Sequence, residues 1–416
     1  MEEFIMTKTI IENGSIIDGT GSEPIQGIVV TDGDKIAYVG DASGYTKSGD
    51  ETVIDAAGKT VLPGFIDTHI HMMFEYAPLE KRLTTPFSYM YYQAMKYMKA
   101  TLDAGVTSVR DALGTDLGVK RAIDDGLING PRVQLSINAL TITGGHGDGM
   151  QINGDVLDIS PSGYRGMPNG IADGVDEVRK KTREMLRAGA EVIKVHATGG
   201  VMSPTDHPEF TQYSFEELSA IVEEARFRKG VKVMAHAQGA EGIKNAVRAG
   251  VHSIEHGIYI DEEAIELMKE HGTYLVPTLL APVSVLETAD EVGMPQSAVE
   301  KAKEVIEAHK ESFARAYKAG VKIAMGTDAG VFKHGTNLRE LGLMVDDGMT
   351  PMDAIVASTK VAAECMGWED KVGTLEEGKL ADVVIVDGNP LEDVYVLADQ
   401  GNIRVVIKGG QFVKQL

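Results

Sequence analysis

The chain has 416 residues, 43% of them hydrophobic, and carries a formal net charge of -22. That length exceeds one average domain but suits a large barrel with an accessory unit, and the acidity argues against a nucleic-acid partner, whose phosphates call for clustered Lys and Arg. One cysteine, Cys365, excludes an intramolecular disulfide framework and a site of several thiolates, which leaves His, Asp, Glu and Lys as possible metal ligands.

The start, MEEFIMTKTIIENGSIIDG, is acidic and then alternates apolar and polar residues like a strand, without the basic and apolar regions of an export signal. No run is long enough to span a bilayer, so a cytoplasmic protein without a membrane partner is expected. Residues 7 to about 62 contain the strand-like runs TIIENGSIID, QGIVVTDGDKIAYVG and ETVIDAAGKTVL, divided by Gly, Asp and Ser turns, the pattern of a small β-meander. The next stretch, VLPGFIDTHIHMM at 61–73, closes an apolar run on His69 and His71. Residues two apart leave a strand on the same face, and two adjacent imidazoles suit a metal. The helix-period segment SYMYYQAMKYMKA that follows is expected to serve as core or as a subunit contact, with the lining of a pocket as the alternative.

From about 63 to 365, helix-period segments alternate with short apolar strands, the pattern of βα units. A phrase recurs in DAGVTSVRD, RAGAEVIKVHATGG, KGVKVMAHA, AGVHSIEHG, HGTYLVPT and AGVKIAMGTDAG. Each time a helix stops at a glycine, a β-branched strand follows, and a polar or special residue ends it. Lys194, His236, His256 and Asp328 fall at or near such ends, and in a (β/α)8 barrel those ends converge on one mouth. After residue 365, ADVVIVDGN and NIRVVIKGGQFV read as strands again, so the two β-rich ends are expected to pair. The predicted architecture is α/β: a (β/α)8 TIM-like barrel over 63–365 with a small β-sandwich domain built from 1–62 and 366–416.

The HxH of GFIDTHIH, the lysine of EVIKVHATGG, the histidines of VMAHA and SIEHG and the aspartate of GTDAG occur in the order of the amidohydrolase superfamily. The chain resembles that superfamily over nearly its whole length. The resemblance implies two divalent ions, zinc above all, held by His69, His71, Lys194, His236, His256 and Asp328, with a CO2-derived carbamate on Lys194 as the bridge. It also implies metal-assisted amide hydrolysis in which Asp328 acts as general base and then as general acid.

Within the superfamily, TITGGHGD, KVHATGGVMSP and FTQYSFEEL resemble the prolidase group of Xaa-Pro dipeptidases and carboxypeptidases, which is related to imidazolonepropionase and to the amidase ochratoxinase. His146 would then bind or polarise the substrate near the scissile carbonyl, and Tyr213 would contact the substrate carboxylate or the reacting group. Lys194 argues against imidazolonepropionase itself, which resembles this pattern but lacks the bridging lysine and uses one metal. His196 stands where the prolidase-like pattern has an apolar residue; it shares a strand face with Lys194 and reads as a substrate contact, a neighbour of a ligand or a satisfied core histidine.

The substrate implied is a small peptide-like amide with a free carboxylate on the leaving side, hydrolysed by a homo-oligomer. The alternatives are an ochratoxin-type N-acyl amino acid amidase, a cyclic-amide hydrolase and, more remotely, a non-catalytic scaffold of the same fold. His207, His252, His271, His309 and His334 read as structural. Glu255 is expected on the opposite strand face from His256, and Asp67, on the face of His69, as a support for it.

Overall fold

A computed structural model describes residues 8–150, 153, 154, 156, 164, 166–203 and 206–416. Three parallel strands, Phe65–Ile70, Val106–Asp111 and Arg132–Leu135, form one arc of the barrel wall. Ile137, at φ 71°, interrupts the third of them before it resumes as Ala139–Leu140. The wall continues in parallel through Val192–His196, Lys232–Ala237, Ser253–His256 and Tyr274–Val276. Residues 322–329 close it, since Leu275 bridges Ile323 and Ala329 bridges Ile70.

The first, second, fourth and sixth strands are buried at every position, as parallel strands covered by helices on one side and barrel filling on the other should be. Helices end where the recurring phrase predicts. Gly189 closes Gly174–Ala188 in the left-handed region at φ 108°, where a side chain would be strained.

The accessory sheet has eight strands drawn from both chain ends. Thr9–Ile16 pairs antiparallel with Ile25–Asp32 but parallel with Thr52–Asp55 and Lys59–Pro63, and the last of these pairs antiparallel with Val383–Asp387. The pairing of the two ends is as expected; the simple meander is not. Its physical cause is a bulge between Glu12 and Ser15, with Asn13 at φ 64°, which bends the strand so that its two halves meet different partners. The folded sheet encloses Ile11, Val29, Val61, Val383, Ile385 and Val405. Among the described residues no helix is long and apolar enough to cross a membrane.

Gly170 shows how tightly the mouth is assembled. A Cβ there would stand 1.8 Å from the Ala139 carbonyl oxygen, in the extension of the third strand. Gly170→Ala is therefore expected to cost about 1–3 kcal/mol and to lower the thermal midpoint by a few degrees. An unchanged melting curve would mean that this contact yields freely.

Candidate metal centre

His69, His71, Lys194, His236, His256 and Asp328 all line one cavity of about 350 Å³. The donor atoms of His69, His256 and Asp328 lie within 4.8 Å of one another. His71 Nε2 is 2.9 Å and His69 Nε2 3.5 Å from the same atom, Asp328 Oδ1. Lys194 Nζ is 3.3 Å from His69 Nε2. The His236 ring lies 4.6 Å from that of His256, which in turn lies 5.0 Å from that of His69.

Each of the four rings has one nitrogen taken by a protein oxygen. His69 Nδ1 is 2.8 Å from Glu255 Oε2, His71 Nδ1 3.3 Å from the Leu113 carbonyl, His236 Nε2 2.8 Å from the Gly199 carbonyl and His256 Nδ1 2.6 Å from Thr278 Oγ1. In a neutral ring the nitrogen facing a carboxylate or carbonyl carries the proton, which leaves the other as a lone-pair donor. The free nitrogens of His69 and His71 thus face a carboxylate oxygen that is itself an acceptor, an arrangement that a cation satisfies. The residues present fit a divalent ion on this ground: imidazole and carboxylate donors, each ring oriented from behind.

Burial drives the His69, His236 and His256 imidazoles well below their ordinary pKa, so the ligand form prevails. Burial also lowers the Lys194 ammonium to about 8, with Glu255 and Asp328 opposing it. His256 and Asp328 adopt left-handed backbone, at φ 73° and 65°. Strained non-glycine residues of this kind gather where side chains must be re-aimed.

That re-aiming corrects the expectation for Glu255. Strand alternation sends Glu255 and His256 to opposite faces, away from a common site; in the structure Glu255 points into the barrel beneath the mouth, while the turned backbone of His256 brings its ring to the cavity above. Asp67 is fully buried and accepts from His69 N, Thr327 N, Thr327 Oγ1 and Asn337 Nδ2. It holds the backbone leading to Asp328, not the His69 ring.

On the substrate side, His146 stacks on His236 at 4.3 Å, and its Nδ1 lies 2.7 Å from Ser203 Oγ and 3.5 Å from Asp206 Oδ2. His196 also lines the cavity, with its Nδ1 buried and without a hydrogen-bond partner among the described residues. Tyr213, expected to contact the substrate, is not brought to the cavity. It is fully buried, lies outside the cavity wall, and its hydroxyl donates to the Ala172 carbonyl at 3.2 Å. The hydroxyl is turned to a loop carbonyl, which a sequence motif cannot reveal.

Residues that the sequence reading does not single out include Gln238, whose side-chain oxygen lies in the cavity wall without a partner among the described residues, and the buried Arg110. Arg110, Glu255 and Asp111 did leave a signal, as charged residues inside otherwise apolar strands. One part of the wall is apolar, Val201, Met202, Ile258, Ala281, Pro282 and Val285, whereas Asn138, Asp148, Asn169 and Ser297 line other parts. Of the histidines read as structural, His309 comes nearest, with Nε2 2.9 Å from the His256 carbonyl.

A closed α/β barrel whose mouth gathers imidazoles, a lysine and a carboxylate defines a hydrolase barrel of the kind that works with divalent ions. The chain belongs to the amidohydrolase family, whose model matches residues 60–413. It is 39% identical over 420 residues to ochratoxinase of Aspergillus niger, covering 98% of this chain and 86% of that protein. A solved Xaa-Pro dipeptidase with methionine bound in its active site matches at TM-score 0.87 and 39% identity, covering 98% of this chain and 99% of that one. A prolidase complexed with N-methylphosphonate-L-proline matches at TM-score 0.90 and 37% identity, covering 99% and 100%. The protein is accordingly an enzyme that hydrolyses amide bonds.

Proposed function

We propose that the enzyme cleaves a peptide or peptide-like amide whose leaving amine bears a free carboxylate, in the manner of an Xaa-Pro dipeptidase or carboxypeptidase. The observation that carries this reading is the convergence of His69 Nε2 and His71 Nε2 on Asp328 Oδ1, with Lys194 Nζ beside them. His69, His71, Lys194, His236, His256 and Asp328 would hold two divalent ions, zinc first among the candidates, with Lys194 carboxylated by CO2. Such ions, when bound, supply a water activated at neutral pH and polarise the scissile carbonyl.

The chain's own residues do the rest. Asp328 takes the proton of the attacking water and returns it to the amine nitrogen as the C–N bond breaks. His146, its Nδ1 engaged by Ser203 and Asp206, presents Nε2 to the substrate oxygen, and His196 borders the same space. Residues 63–365 act as the catalytic unit, with 1–62 and 366–416 as a composite domain without chemistry of its own. The lone buried thiol of Cys365 fits a reducing cytoplasm.

A second reading, an ochratoxin-type amidase for N-acyl phenylalanines, is favoured by the apolar wall at Val201, Met202, Ile258 and Val285. The test is amine release by ion-loaded enzyme from Xaa-Pro dipeptides, N-acyl phenylalanines and their C-terminal amides. The expected result is turnover of a carboxylate-bearing substrate and at least about tenfold slower turnover of its amide, the loss of one charge-assisted contact. Equal rates on acid and amide, or turnover of neutral cyclic amides alone, would overturn the carboxylate requirement.

A further inference from the structure

Beneath the mouth lies a polar chain that the hydrolytic reading does not use. Glu255 is fully buried, and each of its oxygens is committed. Oε2 faces His69 Nδ1 at 2.8 Å, while Oε1 accepts from Ser253 Oγ at 2.5 Å and from Arg110 Nη2 at 3.0 Å. Arg110 is as deeply buried. Its Nε donates to the Thr68 carbonyl at 2.6 Å, and Nη1 lies 3.6 Å from Cys365 Sγ.

Burying a charge in a barrel interior is costly unless it is paired and its hydrogen bonds are met. Here two opposite charges are paired and further hydrogen-bonded, at the rear of one ring. The other three rings lean on neutral oxygens, those of Leu113, Gly199 and Thr278. His69 alone leans on a carboxylate.

We propose that Glu255, charge-compensated by Arg110, is a positioning residue that keeps the proton of His69 on Nδ1 and its Nε2 lone pair aimed at the ion. An ionised carboxylate only accepts, so the nitrogen against it must be N–H, and an anion behind an imidazole raises the basicity of the opposite nitrogen. Arg110, anchored on Thr68 one residue before His69, fixes the carboxylate to the strand that carries the ring. The inference rests on His69 being an ion ligand.

The test is ion affinity, measured by chelator competition with zinc on the full chain, alongside melting of the ion-free protein. Glu255→Gln is expected to weaken zinc binding about 10–100-fold. Ser253→Ala removes a hydrogen bond from Oε1 but leaves the Oε2–His69 contact, so it should keep the parent's affinity whatever it does to melting. Affinity that follows the melting midpoint equally in both variants would assign Glu255 a structural role and overturn the proposal.

Should Glu255→Gln fail to fold, the parent decides. A zinc-loaded crystal structure with the ion on His69 Nε2 and Nδ1 still against Glu255 supports the proposal, whereas an ion on Nδ1 sinks it. A parent that takes up no zinc overturns the metal centre itself. A parent that does, matched by Glu255→Gln, overturns this inference alone.

Discussion

Asp328→Asn is expected to lower kcat/KM by about 10²–10⁴-fold, the usual worth of a positioned general acid and base, while the protein remains folded. The substitution is chosen for its backbone. Asp328 sits at φ 65°, a region in which Asn is among the best tolerated non-glycine residues, so the variant removes the carboxylate without adding strain. Both imidazole contacts fall on Oδ1, and Oδ2 has no hydrogen bond to the described residues. One oxygen can therefore face the rings while the other carries the proton. Steady-state kinetics with ion content measured on the same sample check this, and a variant with full ion content that stays within about tenfold of the parent would remove Asp328 from proton transfer.

Lys194→Ala is expected to lose about 10³-fold or more in turnover, several kcal/mol of charge stabilisation, and to recover part of it when acetate or propionate is added. Lys194 is fully buried with its Nζ 3.3 Å from His69 Nε2. An ammonium there would oppose any cation; in the proposed centre the neutral amine adds to CO2 and loses a proton to become a carbamate. Because burial lowers the ammonium to about 8, roughly half of it is neutral amine near that pH, which makes the addition accessible. A small acid can then supply the missing oxygens in the space the side chain vacates. Intact-mass measurement of the native parent for a CO2 adduct gives an independent check. Retention of parent activity by Lys194→Ala, without response to carboxylic acids, would leave Lys194 as an ordinary buried lysine.

Much of the site was legible before any coordinates. The two-residue period of a strand predicts His69 and His71 side by side, and their rings are 5.6 Å apart. The recurring helix, glycine and strand phrase predicts Lys194, His236, His256 and Asp328 at one mouth, and all of them line a common cavity. Spacing failed where the backbone left the extended region. Glu255 and His256 were assigned to opposite faces by an alternation that presumes an ordinary strand, and His256 at φ 73° ends it.

Tyr213 stands away from the cavity for a different reason. A motif locates a residue along the chain but cannot tell whether its hydroxyl meets a cavity or the Ala172 carbonyl, which approaches from a loop 41 residues away in sequence. The meander expected of the accessory sheet failed at Asn13, where a bulge gave one strand two parallel partners in addition to its antiparallel hairpin neighbour.

What the amino-acid order determined by itself was therefore local and periodic: which segments are strands, where glycine ends the helices, and which donor types stand at the strand ends. These follow from backbone sterics and side-chain periodicity over a few residues. Only the tertiary structure decided what stands behind each donor, above all the Arg110 and Glu255 pair beneath His69. Barrel closure brings residues 69, 110 and 255 together, and no local rule connects positions so far apart in the chain.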